Sequence, residues 1–293
     1  MKKADHYFMR GVAPIGTASS LLVSSSKYLN NPRLRDWVAM VSLRRNGPDY
    51  PAAAELVELF DILDEIRDPE RVEHLFTEER RSNPPVDAWL NEAYMSPRMT
   101  LEDYAQYPAG SVGEILYRQL ADKYEVEFTN DHWEAATSQW DYYWRREAQT
   151  HDLEHVLLGG TVDALGELVA SYFRMENIPR FFRNEELVGE LLAHKIFAST
   201  RYVTRTMLHY PSVWSYCADA ISRGIVAGRS SDPIFMKRLE PVLGLPLKEA
   251  RRRLGIRNAV DRDTSAASAY WSEEAEIPPP MLEQEDMTEP VLW

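Results

Sequence analysis

The sequence predicts an all-α protein: one multi-helix domain over 1–257, then an acidic, Pro-rich tail over 258–293 with no fold of its own. Three observations predict it. Apolar residues recur at helical spacing almost throughout, strand-type alternation is nearly absent, and helix start and stop signals punctuate the chain. A length of 293 residues is enough to bury a substantial core.

Between 52 and 66, Leu56, Val57, Leu59, Phe60 and Leu63 alternate with acidic residues, which reads as an amphipathic helix with Pro51 at its first turn. The Pro-rich and polar stretches 81–85 and 96–108 read as connections. Ser111 and Glu114 have capping-box spacing and open a helix over 115–124. Helical patterns follow over 131–148, 151–158, 163–175, 185–209, 212–226, 233–243 and 247–255, with no repeat of fixed period. From 258 onward the chain carries Glu273, Glu274, Glu276, three consecutive prolines, Glu283, Glu285 and Asp286. Such a stretch buries too little apolar surface to fold alone, so a solvated tail is expected. Tyr270, Trp271 and Trp293 are its exceptions, able to dock on the body or on a partner.

Composition narrows the function classes. A net charge of −13 argues against general nucleic-acid binding, which needs a basic face. Cys217 is the only cysteine, which excludes a disulfide framework and a cysteine zinc cluster and fits a reducing compartment. Met1, Lys2 and Lys3 precede no continuous apolar run, so no signal peptide is expected. No stretch of about eighteen apolar residues is present to span a bilayer.

The chemistry concentrates at His151-Asp152-Leu153-Glu154-His155 and Glu167. In a helix, positions i and i+4 share a face, so His151 and His155 can meet one ion. Imidazoles completed by carboxylates suit a divalent transition metal such as zinc. A bare HxxxH arises by chance in roughly one such chain in six, which leaves two surface or capping histidines as the plain alternative. In one unbroken helix, Glu167 would lie about 18 Å along the axis from His155, too far to share a metal. Gly159-Gly160-Thr161, with Asp163 just beyond, reads as a glycine stop and a fresh N-cap. A turn there brings a helix over 165–173 back toward the histidines.

These residues resemble the coenzyme Q biosynthesis protein 4 family, whose signature is HDxxH, eleven residues, then Glu. His151, Asp152, His155 and Glu167 match it without a gap. Pro108-Ala-Gly-Ser-Val-Gly113, followed by Tyr117, is similar to the family's Pro-x-Gly-[Ser/Thr]-hydrophobic-Gly turn. Leu168-Val-Ala-Ser-Tyr-Phe173 and Arg251-Arg-Arg-Leu-Gly-Ile256 are similar to its apolar and closing helices. The resemblance spans roughly 97–256, and weakly 10–66. It departs at Gln149, where the family usually has Glu, and finds no counterpart for 68–98 or the tail.

The resemblance implies a divalent metal held by His151, Asp152, His155 and Glu167, often taken as zinc, with iron or another ion as alternatives. It implies a channel for the polyprenyl tail of a quinone precursor and a place at the inner, cytoplasmic face of the membrane. Other ubiquinone-synthesis enzymes are implied as partners, and a homo-oligomer stays open. Two activities follow from it. One is oxidative decarboxylation, a lyase-type replacement of the C1 carboxylate of a prenylated hydroxybenzoate by hydroxyl, with Asp152 as ligand or base. The other is a prenyl-lipid-binding scaffold whose metal is structural. An HD-type phosphohydrolase using His132 and Asp219 is a third reading, but it explains neither His155 nor Glu167.

Four further features carry paired readings. Tyr172, Phe173, Met175, Ile178, Phe181 and Phe182 line a channel or fill the core. Lys237, Arg238, Lys248 and Arg251–Arg253 meet anionic headgroups or form a solvated face. Trp140, Tyr142, Tyr143 and Trp144 lie at an interface or, as expected, pack. Residues 108–113 offer helix-start N–H groups to an anion or form a structural turn, the commoner use.

Overall fold

Helix after helix packs along the chain of this computed structural model, which describes residues 23–50, 55–121 and 134–282. Two short helices, α1 (Lys27–Asn30) and α2 (Pro32–Met40), precede α3 (Leu56–Ile66), α4 (Pro69–Ser82) and α5 (Pro84–Glu92). Then come α6 (Leu101–Ala105), α7 (Val112–Ala121) and the long α8 (Gln139–Leu158). The remainder is α9 (Glu167–Phe181), α10 (Glu185–His209), α11 (Trp214–Ser230), α12 (Leu247–Leu254) and α13 (Ser265–Trp271). Among the described residues there is no strand, only two isolated bridges, so the all-α expectation holds.

Three cores hold these helices. The largest joins α7, the second half of α8, α9, α11, α12 and α13 through residues such as Leu116, Leu157, Leu168, Phe173, Cys217 and Trp271. In it, α9 and α11 meet with almost no side chain between them. A Cβ on Gly224 would sit 2.6 Å from the Val169 carbonyl oxygen, and one on Gly228 2.6 Å from that of Phe173. The second core joins α4, α5 and the first half of α8 to the facing ends of α9 and α10. The third joins α2, α3 and α10 through Leu34, Trp37, Leu59 and Ile62.

Several boundaries differ from expectation. The stretch 68–98, without counterpart in the resemblance, holds two helices whose Val72, Leu75, Phe76, Val86, Trp89 and Leu90 build one side of the second core. The expected connection 81–85 shrinks to Asn83, because Pro84 occupies the first turn of α5, where a missing N–H costs nothing. Within 96–108 a capping box between Thr100 and Asp103 starts the short α6. From Gln139 onward the patterns over 131–148 and 151–158 are one helix, opened by the Ser138 hydroxyl accepting from Asp141 N at 3.1 Å. The helix expected over 233–243 is two 3-10 turns, Ile234–Met236 just after Pro233 and Glu240–Val242 with Pro241 inside it.

The tail begins later than position 258. Arg262 N donates to Gly159 O at 3.0 Å, Thr264 and Ser268 bind the Asp163 carboxylate, and Trp271 is fully buried against Tyr202. Backbone acceptors at a helix end, plus one large indole, are reason enough to order 259–271. From Glu273 to Leu282 the side chains are mostly exposed, as expected of the acidic stretch. Pro51, His132 and Trp293 lie outside the described residues.

Candidate metal centre

The last turn of α8 closes on Gly159, whose φ of +79° is the left-handed conformation glycine adopts freely. Gly160 N donates to His155 O at 2.8 Å and Gly159 N to Val156 O at 3.2 Å, the paired closure of a Schellman motif. The chain then turns through Thr161 to Asp163, whose carboxylate accepts from Gly166 N at 2.9 Å and whose carbonyl accepts from Glu167 N at 3.1 Å. Glu167 therefore opens α9 at a helix N-terminus, where a negative side chain is stabilised. The glycine break and the Asp163 cap do what their sequence suggests.

This turn delivers Glu167 to the histidines. Its carboxylate oxygens lie 3.3 Å from His151 Nε2 and 3.3 Å from His155 Nε2. The two imidazoles stand edge to face with centroids 4.9 Å apart. Donor atoms of His151, His155 and Glu167 all fall within 4.8 Å of one another. Ligand atoms about 2.0–2.1 Å from a shared tetrahedral ion lie about 3.4 Å apart, so the observed spacing fits a bound ion with little adjustment.

Burial and electrostatics fit as well. The His155 side chain is fully buried and neither ring nitrogen makes a well-formed hydrogen bond, so an ion on Nε2 would relieve one of the two. His151 and Glu167 are 27% and 31% exposed, so the centre can be reached from solvent on one side. Burial disfavours the His155 imidazolium, but Glu167 against the ring outweighs it and the net shift is upward. Burial alone would raise Glu167, yet the two imidazoles reverse this and hold it well below the ordinary carboxylate range.

Asp152 is half-buried and is not part of the three-residue group. Its position, one residue past His151, turns it about 100° around α8, where its charge still acts on His155 and on Tyr104. Asp219 sits on α11 with Oδ2 2.8 Å from Arg223 Nε and 3.4 Å from Arg262 Nε, held by two guanidiniums.

A second constellation, absent from the sequence reading, adjoins the first. Glu147, His151 and His155 occupy positions i, i+4 and i+8 of α8, so one face carries all three. Glu147 is 4% exposed and meets the Arg174 guanidinium, His194 Nε2 at 3.3 Å and the Tyr143 hydroxyl at 3.5 Å. Arg174 Nε also donates to Glu154 at 2.7 Å. Burial would raise Glu147, but the surrounding cations, Arg174 foremost, hold it far below its ordinary value. Acidic residues recurring one turn before the histidines were the available signal.

The paired readings resolve mostly toward packing. Phe173, Ile178 and Phe182 are buried in the cores, with Met175 and Phe181 packed against them. Tyr142 and Tyr143 are buried, and Trp140 stacks on Trp144. The helix-start donors Val112 N and Gly113 N are taken by the carbonyls of Leu245 and Leu243 at 3.1 and 2.9 Å, so 108–113 is a structural turn. Lys237, Arg238, Arg251 and Arg252 all have acidic partners. Gln149 accepts from Ser96 N at 3.1 Å and from Arg146 at 2.6 Å, anchoring the chain before α6.

No family model matches the sequence, and no curated protein matches it. In fold the chain is similar to a crystal structure from Nostoc punctiforme PCC 73102, provisionally named a ubiquinone biosynthesis protein. The two share 19% identity at a TM-score of 0.54, over 78% of this chain and 94% of that one.

Proposed function

We propose that this protein acts in ubiquinone biosynthesis, where it replaces the C1 carboxylate of a polyprenylated hydroxybenzoate by hydroxyl. A divalent metal, zinc or iron, is held by His151, His155 and Glu167. One observation carries the proposal: the fold gathers three ligands of the right type, one wholly buried and two part-exposed. Three protein ligands with an open position suit catalysis, whereas a closed set of four suits structure. The signature resemblance and the likeness in fold to the Nostoc protein support the pathway.

A bound divalent ion supplies Lewis acidity toward a carboxylate or phenolate oxygen. Exchanging carboxylate for hydroxyl releases carbon dioxide and removes two electrons from the organic substrate, so dioxygen or a redox partner accepts them. In this reading Asp152, which follows His151 in sequence and is half-buried, takes a proton from water or substrate. The polyprenyl tail implies peripheral contact with the cytoplasmic face of the membrane and with other enzymes of the pathway. No described helix is long and apolar enough to cross a membrane.

The test deletes the gene, supplies wild type or Asp152→Asn, and follows the carboxylated prenyl precursor. Asp152→Asn keeps shape and removes charge, so the precursor should accumulate. Equal clearance by both would replace catalysis with the scaffold reading.

A further inference from the structure

Thr264 stands where α13 begins, but its side chain makes no capping bond to that helix. A threonine in this place ordinarily stabilises the helix start. The hydroxyl instead donates to the Asp163 carboxylate, at 2.8 Å to Oδ1 and 3.1 Å to Oδ2, and lies 2.7 Å from the Thr161 hydroxyl. Ser268, one turn further along α13, donates to the same carboxylate and accepts from Leu165 N at 2.9 Å. Both residues are buried, at 1% and 3% exposure.

These bonds fall on the turn that delivers Glu167. Leu165 N is held by Ser268, Gly166 N by the Asp163 carboxylate at 2.9 Å, and Glu167 N by the Asp163 carbonyl at 3.1 Å. The same C-terminal segment holds the start of the turn. Arg262 N donates to Gly159 O at 3.0 Å, and Arg223 donates to both Gly159 O and Val260 O at 3.1 and 3.2 Å. His151 and His155 need no such support, because one unbroken helix sets their spacing. Glu167 comes from the next helix, so the turn between them decides whether it reaches a shared ion. Metal–carboxylate bonds of about 2.0–2.2 Å tolerate little drift.

Resting on the proposed metal site, we propose that Thr264 and Ser268 are positioning residues for Glu167, and that segment 259–271 clamps the site in its metal-binding form. Coupling of this kind is reciprocal: the clamp raises metal affinity by the same factor by which the metal tightens the clamp. Metal loading therefore fastens the C-terminal segment, and undocking that segment weakens the hold on the ion.

The experiment uses full-length protein and cobalt(II), whose visible absorption reports the ligands around it. Thr264→Val combined with Ser268→Ala should weaken cobalt(II) binding about 10-fold and change the spectrum, the lower end of the loss typical when a ligand's supporting bonds are removed. Thr264→Ser keeps the hydroxyl and should keep wild-type affinity. In wild type, amide hydrogen exchange across 259–271 should slow by a similar factor on adding cobalt(II), and should not respond in His155→Ala. A double variant that loses stability in urea but keeps wild-type affinity and spectrum overturns the clamp. Wild-type exchange across 259–271 that ignores the metal also overturns it, and that result does not depend on the double variant folding. Equal loss of affinity in Thr264→Ser and Thr264→Val assigns the effect to packing and overturns the role of the hydroxyl. A wild type that binds no cobalt(II) overturns the metal site itself, and the clamp with it.

Discussion

Acidification should destabilise the protein by about 3 kcal/mol through His194 alone. The ring is wedged between Phe60 and Trp144, at centroid distances of 6.2 and 5.1 Å, and is 7% exposed. Burial pushes its pKa from 6.5 down to about 4; the adjacent Glu147 opposes this, and Lys195 and Arg174 add to it. Below pH 6.5 the unfolded chain binds a proton at this position, and the folded protein does not until about pH 4. The unfolded state therefore holds more protons across that window, so stability is lost as the pH falls through it. About 2.5 pH units at 1.36 kcal/mol each gives about 3 kcal/mol, a large share of an ordinary domain's stability. Glu147, held low, adds a loss of the same sign, but only below its unfolded value of 4.5. Urea unfolding followed by circular dichroism between pH 7 and pH 4 measures the effect. Wild type should lose about 3 kcal/mol more than His194→Gln, which keeps a neutral hydrogen-bonding group. Parallel pH profiles for the two would refute the reasoning.

Two substitutions test how the C-terminal segment holds the metal turn. Gly159→Ala places a methyl 2.3 Å from Val260 O at a φ of +79°; strain alone costs about 1–2 kcal/mol, and thermal unfolding should show at least that loss. Trp271→Ala empties a fully buried site and should cost about 3–5 kcal/mol, whereas an undocked tail predicts almost no change in the urea midpoint.

The helices most legible in the sequence were those with long apolar periodicity and strong ends. The pattern over 185–209 coincides with α10, which the Asn184 side chain caps by accepting from Leu187 N. Prolines misled at both scales: Pro84 opens a helix where a connection was expected, and Pro233 and Pro241 hold a periodic stretch to short turns. Local pattern could not reveal that Thr264 and Ser268 hydrogen-bond Asp163, because that affinity is created only when α8 ends at Gly159. The candidate site was legible in its residue types and in its break, and three of the four expected ligands converge. Asp152 does not join them because one residue along a helix is a rotation of about 100°. Glu147 is not legible because periodicity treats charge as surface, and its burial depends on Arg174 arriving from α9.

Metal content tests the central claim most directly. Elemental analysis of purified wild type should find about one divalent ion per chain, lost in His155→Ala while circular dichroism still reports a helical fold. A wild type without bound metal, or a His155→Ala variant that retains it, contradicts the account.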